Sequence, residues 1–180
     1  MALRRWKKLS SEIKFTNKWW SYKVDKYLFP NGKEGEYHYA FTFGSVFVVP
    51  VTAQGKILMV KQYRYLNDRT SIEFPGGGVK KKDNYDFEAR KELIEETGFD
   101  GELKYIGEFN PYNGVTNEMC KVYTAKKLKP SDEFRKDESE EFELGFYTAD
   151  EIENMIYTNE IYDGMTLATW ALVRNKLRGA

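Results

Sequence analysis

The stretch that most constrains this chain of 180 residues is Gly76 to Phe99, GGGVKKKDNYDFEARKELIEETGF. Three glycines follow an apolar, proline-ended segment, Ile72-Glu73-Phe74-Pro75. The closing half has helical character and stops at Gly98, a residue suited to the left-handed position that ends a helix. Asp83 or Asn84 offers a side-chain oxygen to cap the helix start. On that helix Tyr85, Ala89 and Leu93 share one stripe, with Phe87 and Ile94 near its edges. Glu88, Glu92, Glu95 and Glu96 share another. Like charges at those separations repel by roughly 0.2–0.5 kcal/mol per pair. Glu95 and Glu96 also lie near the helix C-terminus, where the macrodipole disfavours anions. Two readings follow. Hard oxygen ligands so placed suit a divalent cation, Mg²⁺ or Mn²⁺. Alternatively this is a solvated acidic face, with Arg90 and Lys91 as local counter-charges.

The rest of the chain narrows the function classes. Apolar residues are 41% and aromatics 16%, which excludes a disordered chain and gives one domain a substantial core. Basic and acidic residues balance at 28 each, so nothing pulls the whole surface toward nucleic acid or an anionic membrane. The lone Cys120 excludes an intrachain disulfide. The lone His38 argues against a histidine-rich zinc site or a Ser-His-Asp triad and for a satisfied structural role. No apolar run approaches a membrane span, and the basic N-terminal segment lacks the apolar stretch of a signal peptide. A cytoplasmic protein is expected.

Local patterning gives the elements. Residues 1–11 read as a docking arm or a frayed terminus anchored by Trp6 and Leu9. From Glu12 to about Leu28, aromatics and alternation favour strands, and Pro30-Asn31-Gly32 turns Tyr22–Phe29 into Glu36–Thr42 as a hairpin. Trp19 and Trp20 either fill core or a subunit interface, or offer a ring on which a base stacks. Strands are expected at Phe43–Val51, Ile57–Arg64, Ser71–Phe74, Leu103–Phe109, Met119–Ala125 and Phe142–Tyr147. Thr148 and Glu151 form a capping-box pattern for a short helix through Ile156. Asp163 caps a last helix carrying Met165, Ala168, Leu172 and Leu177 toward the core. The result is an α+β domain with mixed sheets packed between helices.

The long stretch resembles the Nudix box, the loop–helix–loop signature of Nudix hydrolases. The match comprises Gly77, five residues, Asp83, seven residues, then Lys91-Glu92-Leu93-x-Glu95-Glu96-x-Gly98-Phe99. Two positions depart from the family pattern: Asp83 stands where Glu is usual and Lys91 where Arg is usual. Lysine keeps the charge but loses the planar fork that holds a carboxylate with two bonds. The resemblance implies an α/β/α sandwich, with residues 1–40 as an N-terminal hairpin region and 41–180 as the hydrolase domain. It also implies a metal site built from Glu92, Glu95, Glu96 and the Gly76 carbonyl, with Glu96 counted among the catalytic groups and Gly77 beside the substrate.

Beyond the box the chain is similar to the ADP-ribose pyrophosphatase branch. The likeness lies in Val60-Lys61-Gln62-Tyr63-Arg64, Glu73-Phe74-Pro75-Gly76-Gly77-Gly78, the Pro111-x-x-Gly114-Val115-Thr116-x-Glu118 loop and Ile161-x-Asp163-x-x-Thr166. Asn113 stands where that branch often has a second proline. The likeness implies hydrolysis of ADP-ribose to AMP and ribose 5-phosphate. Arg64 would fork two pyrophosphate oxygens, with Lys61 or Lys80–Lys82 adding charge, unless it merely ends a strand in a surface ion pair. Glu118 would contact the sugar end, and the water-activating base would come from Asp137–Glu141, with Glu138 and Glu140 as candidates. The branch is typically a homodimer whose N-terminal strands cross to the partner, and Trp6, Trp19 and Trp20 suit such an exchange, with Trp20 at the base. Alternatives are another nucleotide sugar such as GDP-mannose, a dinucleotide, or a non-catalytic nucleotide-binding module.

Overall fold

A computed structural model describes residues 3–81, 84–133 and 143–177. The N-terminal part is a sheet of its own. Strands β1 (Lys7–Thr16), β2 (Ser21–Leu28) and β3 (Glu34–Phe41) run antiparallel in that order. The hairpin expected from Pro30-Asn31-Gly32 is β2–β3, but it has a third strand. β1 begins inside the segment read as an arm or frayed end, and every one of its residues is exposed. Trp19 and Trp20 do not fill core: they sit on the β1–β2 turn, 72% and 41% exposed. Asn17 Oδ1 shapes that turn by accepting both of their backbone N–H groups at 2.8 Å. His38 is satisfied at the surface, its Nδ1 2.7 Å from the Tyr22 hydroxyl.

The rest forms two sheets between helices. β4 (Ser45–Pro50) is buried along its whole length. It pairs antiparallel with the short glycine strand β7 (Gly76–Gly78) and parallel with β9 (Cys120–Pro130), which in turn pairs with β8 (Phe99–Phe109). The second sheet has the order β10 (Glu143–Tyr147), β5 (Ile57–Arg64), β6 (Arg69–Glu73). Because strand side chains alternate, β4 and β9 each serve two cores. Val46, Val48, Tyr123 and Ala125 pack with Ala89 and Leu93 of α1 (Tyr85–Thr97). Phe47, Val49, Cys120 and Val122 pack with Ile152 and Met155 of α2 (Ala149–Tyr157) and Trp170 and Val173 of α3 (Gly164–Leu177). Each fully buried Leu, Val or Phe contributes about 1.5–3 kcal/mol, so both faces anchor the layers.

The helix ends follow from their sequences, with one exception. Gly98 takes the left-handed conformation, φ 75°, and its N–H donates to the Ile94 carbonyl at 2.9 Å. The Thr148–Glu151 box is formed on both sides, and Asp163 Oδ2 accepts from the Thr166 N–H at 2.7 Å. Asn84 holds the cap position of α1 but its side chain makes no capping bond, and Asp83 lies outside the described residues. Phe87 is exposed, whereas Glu88 of the acidic stripe is buried. On α3 the buried residues are Thr166, Thr169, Trp170 and Val173. The expected stripe of Met165, Ala168, Leu172 and Leu177 is only partly buried beside them.

Candidate active site

The glycine loop and the acidic helix fold onto one another. β7 is held to β4 in the register Val46↔Gly77 and Phe47↔Gly76, and the Val79 N–H closes the loop onto the Gly44 carbonyl at 2.9 Å. This puts bare backbone against the carboxylates of α1. The Gly76 N–H donates to Glu96 Oε2 at 3.1 Å. A Cβ on Gly77 would sit 2.7 Å from Glu92 Cδ and 2.8 Å from both its oxygens. Gly77 is therefore a packing requirement of the acidic face. Glu95 lies beside Lys91, whose Nζ is 2.5 Å from Glu95 Oε2 and 3.7 Å from Glu92 Oε1. Burial alone would lower the Lys91 pKa, but the bond to Glu95 and the charges of Glu92, Glu95 and Glu88 outweigh it and raise it. Lysine at this position thus still holds two carboxylates. Arg90 does not serve the acidic stripe: it forks Asp100 on β8 and Glu133.

The two glycines predict opposite outcomes for the same substitution. A Cβ on Gly76 would lie 2.3 Å from the Val46 carbonyl oxygen, a backbone atom that cannot step aside. Gly76→Ala is expected to cost about 1–3 kcal/mol of stability, as overpacking does. On Gly77 the obstacle is the end of a flexible side chain. Gly77→Ala should keep its melting temperature and lose activity as Glu92 is pushed aside. Thermal melts beside turnover assays of the two variants check the contrast.

Arg64 ends β5 and is drawn inward by Glu73 at the other end of β6, since the register pairs Arg64 with Arg69 and Glu73 with Val60. The guanidinium donates through Nε to Glu73 Oε1 at 2.7 Å and through Nη2 to Glu73 Oε2. Glu73 is 3% exposed, and Gln62 Nε2 also reaches it at 3.5 Å. The Arg64 pKa is raised by the bond to Glu73, with Asp163 and Glu96 adding charge. The sequence alternative of an ion pair is thus realised, with a buried partner. Half of the Arg64 side chain stays exposed, and Nη1 makes no hydrogen bond among the described residues.

The remaining candidates fall in three places. Glu118 is half-buried, its backbone carbonyl taken by Asn110 Nδ2 at 2.7 Å and its Oε1 4.0 Å from Cys120 Sγ. Burial pushes the Cys120 thiol up to about 12 against the Ser45 hydroxyl bonded to it at 2.9 Å, so this thiol is inert. The ring of Trp20 faces Phe15, and no described contact joins it to the carboxylates. Glu138 and Glu140 lie outside the described residues. Sequence reasoning missed the roles of Glu73, Asn110 and Asn117. Asn117 ties its loop to β3 by exchanging two 3.0 Å bonds with the Thr42 backbone. For Glu73 a signal existed: a carboxylate inside an apolar strand needs a buried partner.

A divalent cation is tested by this donor set. The oxygens of Glu92, Glu95 and Glu96 are hard ligands, and the Gly77 cradle preserves the space of one of them. Glu88 Oε2 is buried on the same helix and has no hydrogen-bond partner among the described residues. The donors fit, although among the described residues no three carboxylates, histidines or cysteines converge on one point.

The NUDIX domain family model matches residues 41–166, the glycine loop and acidic helix included. The chain belongs to the Nudix family. It is 33% identical over 162 residues to an ADP-ribose pyrophosphatase of Bacillus subtilis (strain 168), covering 89% of this chain and 88% of that one. It is 31% identical over 163 residues, with the same coverage of both chains, to a methanol dehydrogenase activator of Bacillus methanolicus. A crystal structure of an ADP compounds hydrolase superposes with a TM-score of 0.82 at 18% identity, covering 99% and 97% of the two chains, which establishes the shared fold. The α/β/α reading holds, and the chain is a Nudix hydrolase. No helix among the described residues is long and apolar enough to cross a membrane.

Proposed function

We propose that this Nudix hydrolase cleaves the pyrophosphate bond of a nucleoside diphosphate linked to another moiety, turning ADP-ribose into AMP and ribose 5-phosphate. The observation that carries the reading is the clasp of Gly76 and Gly77 on Glu96 and Glu92, with the half-exposed Arg64 in electrostatic reach of Glu96. The Bacillus subtilis relative, matched over most of both chains, supports the substrate class.

Glu92, Glu95, Glu96 and the Gly76 carbonyl would hold Mg²⁺ or Mn²⁺. Such an ion polarises a phosphoryl oxygen and acidifies water. The chain's own residues do the rest. Arg64 offers its outer edge to the diphosphate while Glu73 fixes its inner edge. The Gly76 N–H orients Glu96, and Lys91 holds Glu95 and Glu92 against their mutual repulsion. Glu118 takes the sugar end, Gly77 lies beside the substrate, and Glu138 or Glu140 supplies the base.

In this reading the protein works in the cytoplasm, away from nucleic acid and membrane, as a homodimer. The 1–40 sheet would cross to the partner and bring Trp20 to the nucleotide base. The exposed Trp6, Leu9, Ile13, Phe15, Trp19 and Trp20 support this, because a lone chain rarely leaves so much apolar surface in water. Light scattering is expected to give twice the 21.1 kDa chain mass, and Ile13→Asp/Phe15→Asp to halve it.

The test of function is a panel of ADP-ribose, GDP-mannose, FAD and 8-oxo-dGTP with Mg²⁺ and product identification. AMP plus ribose 5-phosphate is the expected outcome. Turnover of GDP-mannose or FAD alone moves the substrate to another nucleotide sugar or a dinucleotide, and turnover of none overturns the reading.

A further inference from the structure

Among the described residues, the hydrogen bonds that join residues 3–42 to anything beyond Gly44 all end on one loop, residues 114–117. The Tyr37 hydroxyl donates to the Gly114 carbonyl at 3.1 Å, and the Ala40 N–H donates to the Val115 carbonyl at 2.9 Å. Asn117 completes the tie from the loop side. Its amide accepts the Thr42 N–H and donates to the Thr42 carbonyl, both at 3.0 Å. That exchange copies the two-bond pair of an antiparallel ladder, with a side chain in place of one backbone.

The next residue along is Glu118, and the loop hands its placement on to it. The Glu118 N–H donates to Thr116 Oγ1 at 3.1 Å, and Asn110 Nδ2 holds the Thr116 and Glu118 carbonyls at 3.3 and 2.7 Å. The Glu118 carboxylate itself has, among the described residues, only the Cys120 thiol at 4.0 Å. No strong side-chain bond there fixes the carboxylate, so the backbone of the loop decides where it stands. Asn117 is exposed, and its two bonds rather than its packing are what it contributes. An exposed loop is among the most mobile parts of a fold unless such bonds hold it.

We propose that Asn117 is a positioning residue of the hydrolytic site: by holding its loop to the end of β3, it sets Glu118 against the sugar end of the substrate. This rests on the pyrophosphatase reading that gives Glu118 the sugar end. The N-terminal sheet then acts within its own subunit, as the brace of the Glu118 loop. Loosening the loop costs contacts to the sugar and none to the nucleoside diphosphate, so the affinities for ADP-ribose and for ADP separate.

The test compares the full chain with Asn117→Ala, Glu118→Gln and the double variant. KM and kcat for ADP-ribose are measured beside the inhibition constant of ADP, which lacks the terminal sugar. Asn117→Ala should raise the ADP-ribose KM about fivefold, the contribution of one neutral hydrogen bond. Its kcat, ADP inhibition and melting temperature should stay near those of the parent. Glu118→Gln should raise the same KM about tenfold or more, since the bond it weakens is charge-assisted. Because one residue acts through the other, the double variant should be no worse than Glu118→Gln. An unchanged KM in Asn117→Ala, an equal loss for ADP, or losses that multiply in the double variant overturns the positioning role. If Glu118→Gln alone leaves the KM where it was, the assignment of Glu118 fails and the role of Asn117 falls with it. If the parent turns over no diphosphate sugar, the pyrophosphatase reading fails first and takes both with it.

Discussion

Glu96→Gln is expected to lower turnover by roughly 10²–10³-fold, the cost of losing one preorganised electrostatic group, while leaving the fold in place. The substitution is selective because of what Glu96 does in the structure. Its Oε2 accepts the Gly76 N–H at 3.1 Å, and the amide oxygen of glutamine can accept the same bond. The loop therefore stays clasped on α1, and the Lys91–Glu95 pair beside it is untouched. Only the negative charge is lost. A ligand that binds the folded chain at 100 times its dissociation constant stabilises it by about 2.7 kcal/mol. Added Mg²⁺ or Mn²⁺ should accordingly raise the melting temperature of the parent and raise that of Glu96→Gln much less. Turnover within threefold of the parent, together with an intact metal-induced shift, would remove Glu96 from both the metal site and the catalysis.

What the sequence made legible was short-range. Gly98, the Thr148–Glu151 box, Asp163 and the turn at Pro30-Asn31-Gly32 each act within five residues, so the pattern names both partners. β1 was read only from Glu12 on, where Ile13 and Phe15 alternate; residues 7–11 are exposed and become strand by pairing with β2, which leaves no pattern to read. α3 was placed correctly but rotated. It is apolar on more than one side, and the core selects the arc with Trp170 and Val173 over that with Met165 and Leu172. The box of α1 carried the family because its spacing is long and local. The tie between Asn117 and Thr42 spans 75 positions and the Arg64–Glu73 fork depends on strand register, so neither leaves a local mark.

That fork carries the other large effect. Arg64→Ala is expected to destabilise the chain by about 3 kcal/mol, the low end for breaking a buried pair, since only the carboxylate is deeply buried. Among the described residues Glu73 would be left with only Gln62 Nε2, at the longer distance of 3.5 Å. Arg64→Met/Glu73→Leu removes both charges and fills similar volume, an exchange that is often neutral or stabilising. The double variant should therefore recover most of the melting temperature lost by the single one. Activity separates the two readings of the guanidinium. If it only neutralises Glu73, stability and kcat/KM return together in the double variant. If its outer edge also holds the diphosphate, stability returns and kcat/KM stays depressed by about 10-fold or more, since a charge-assisted bond contributes about 1.5–3 kcal/mol. The half of Arg64 left uncovered by Glu73 favours the second outcome: an arginine committed only to a buried carboxylate has no need of an open edge.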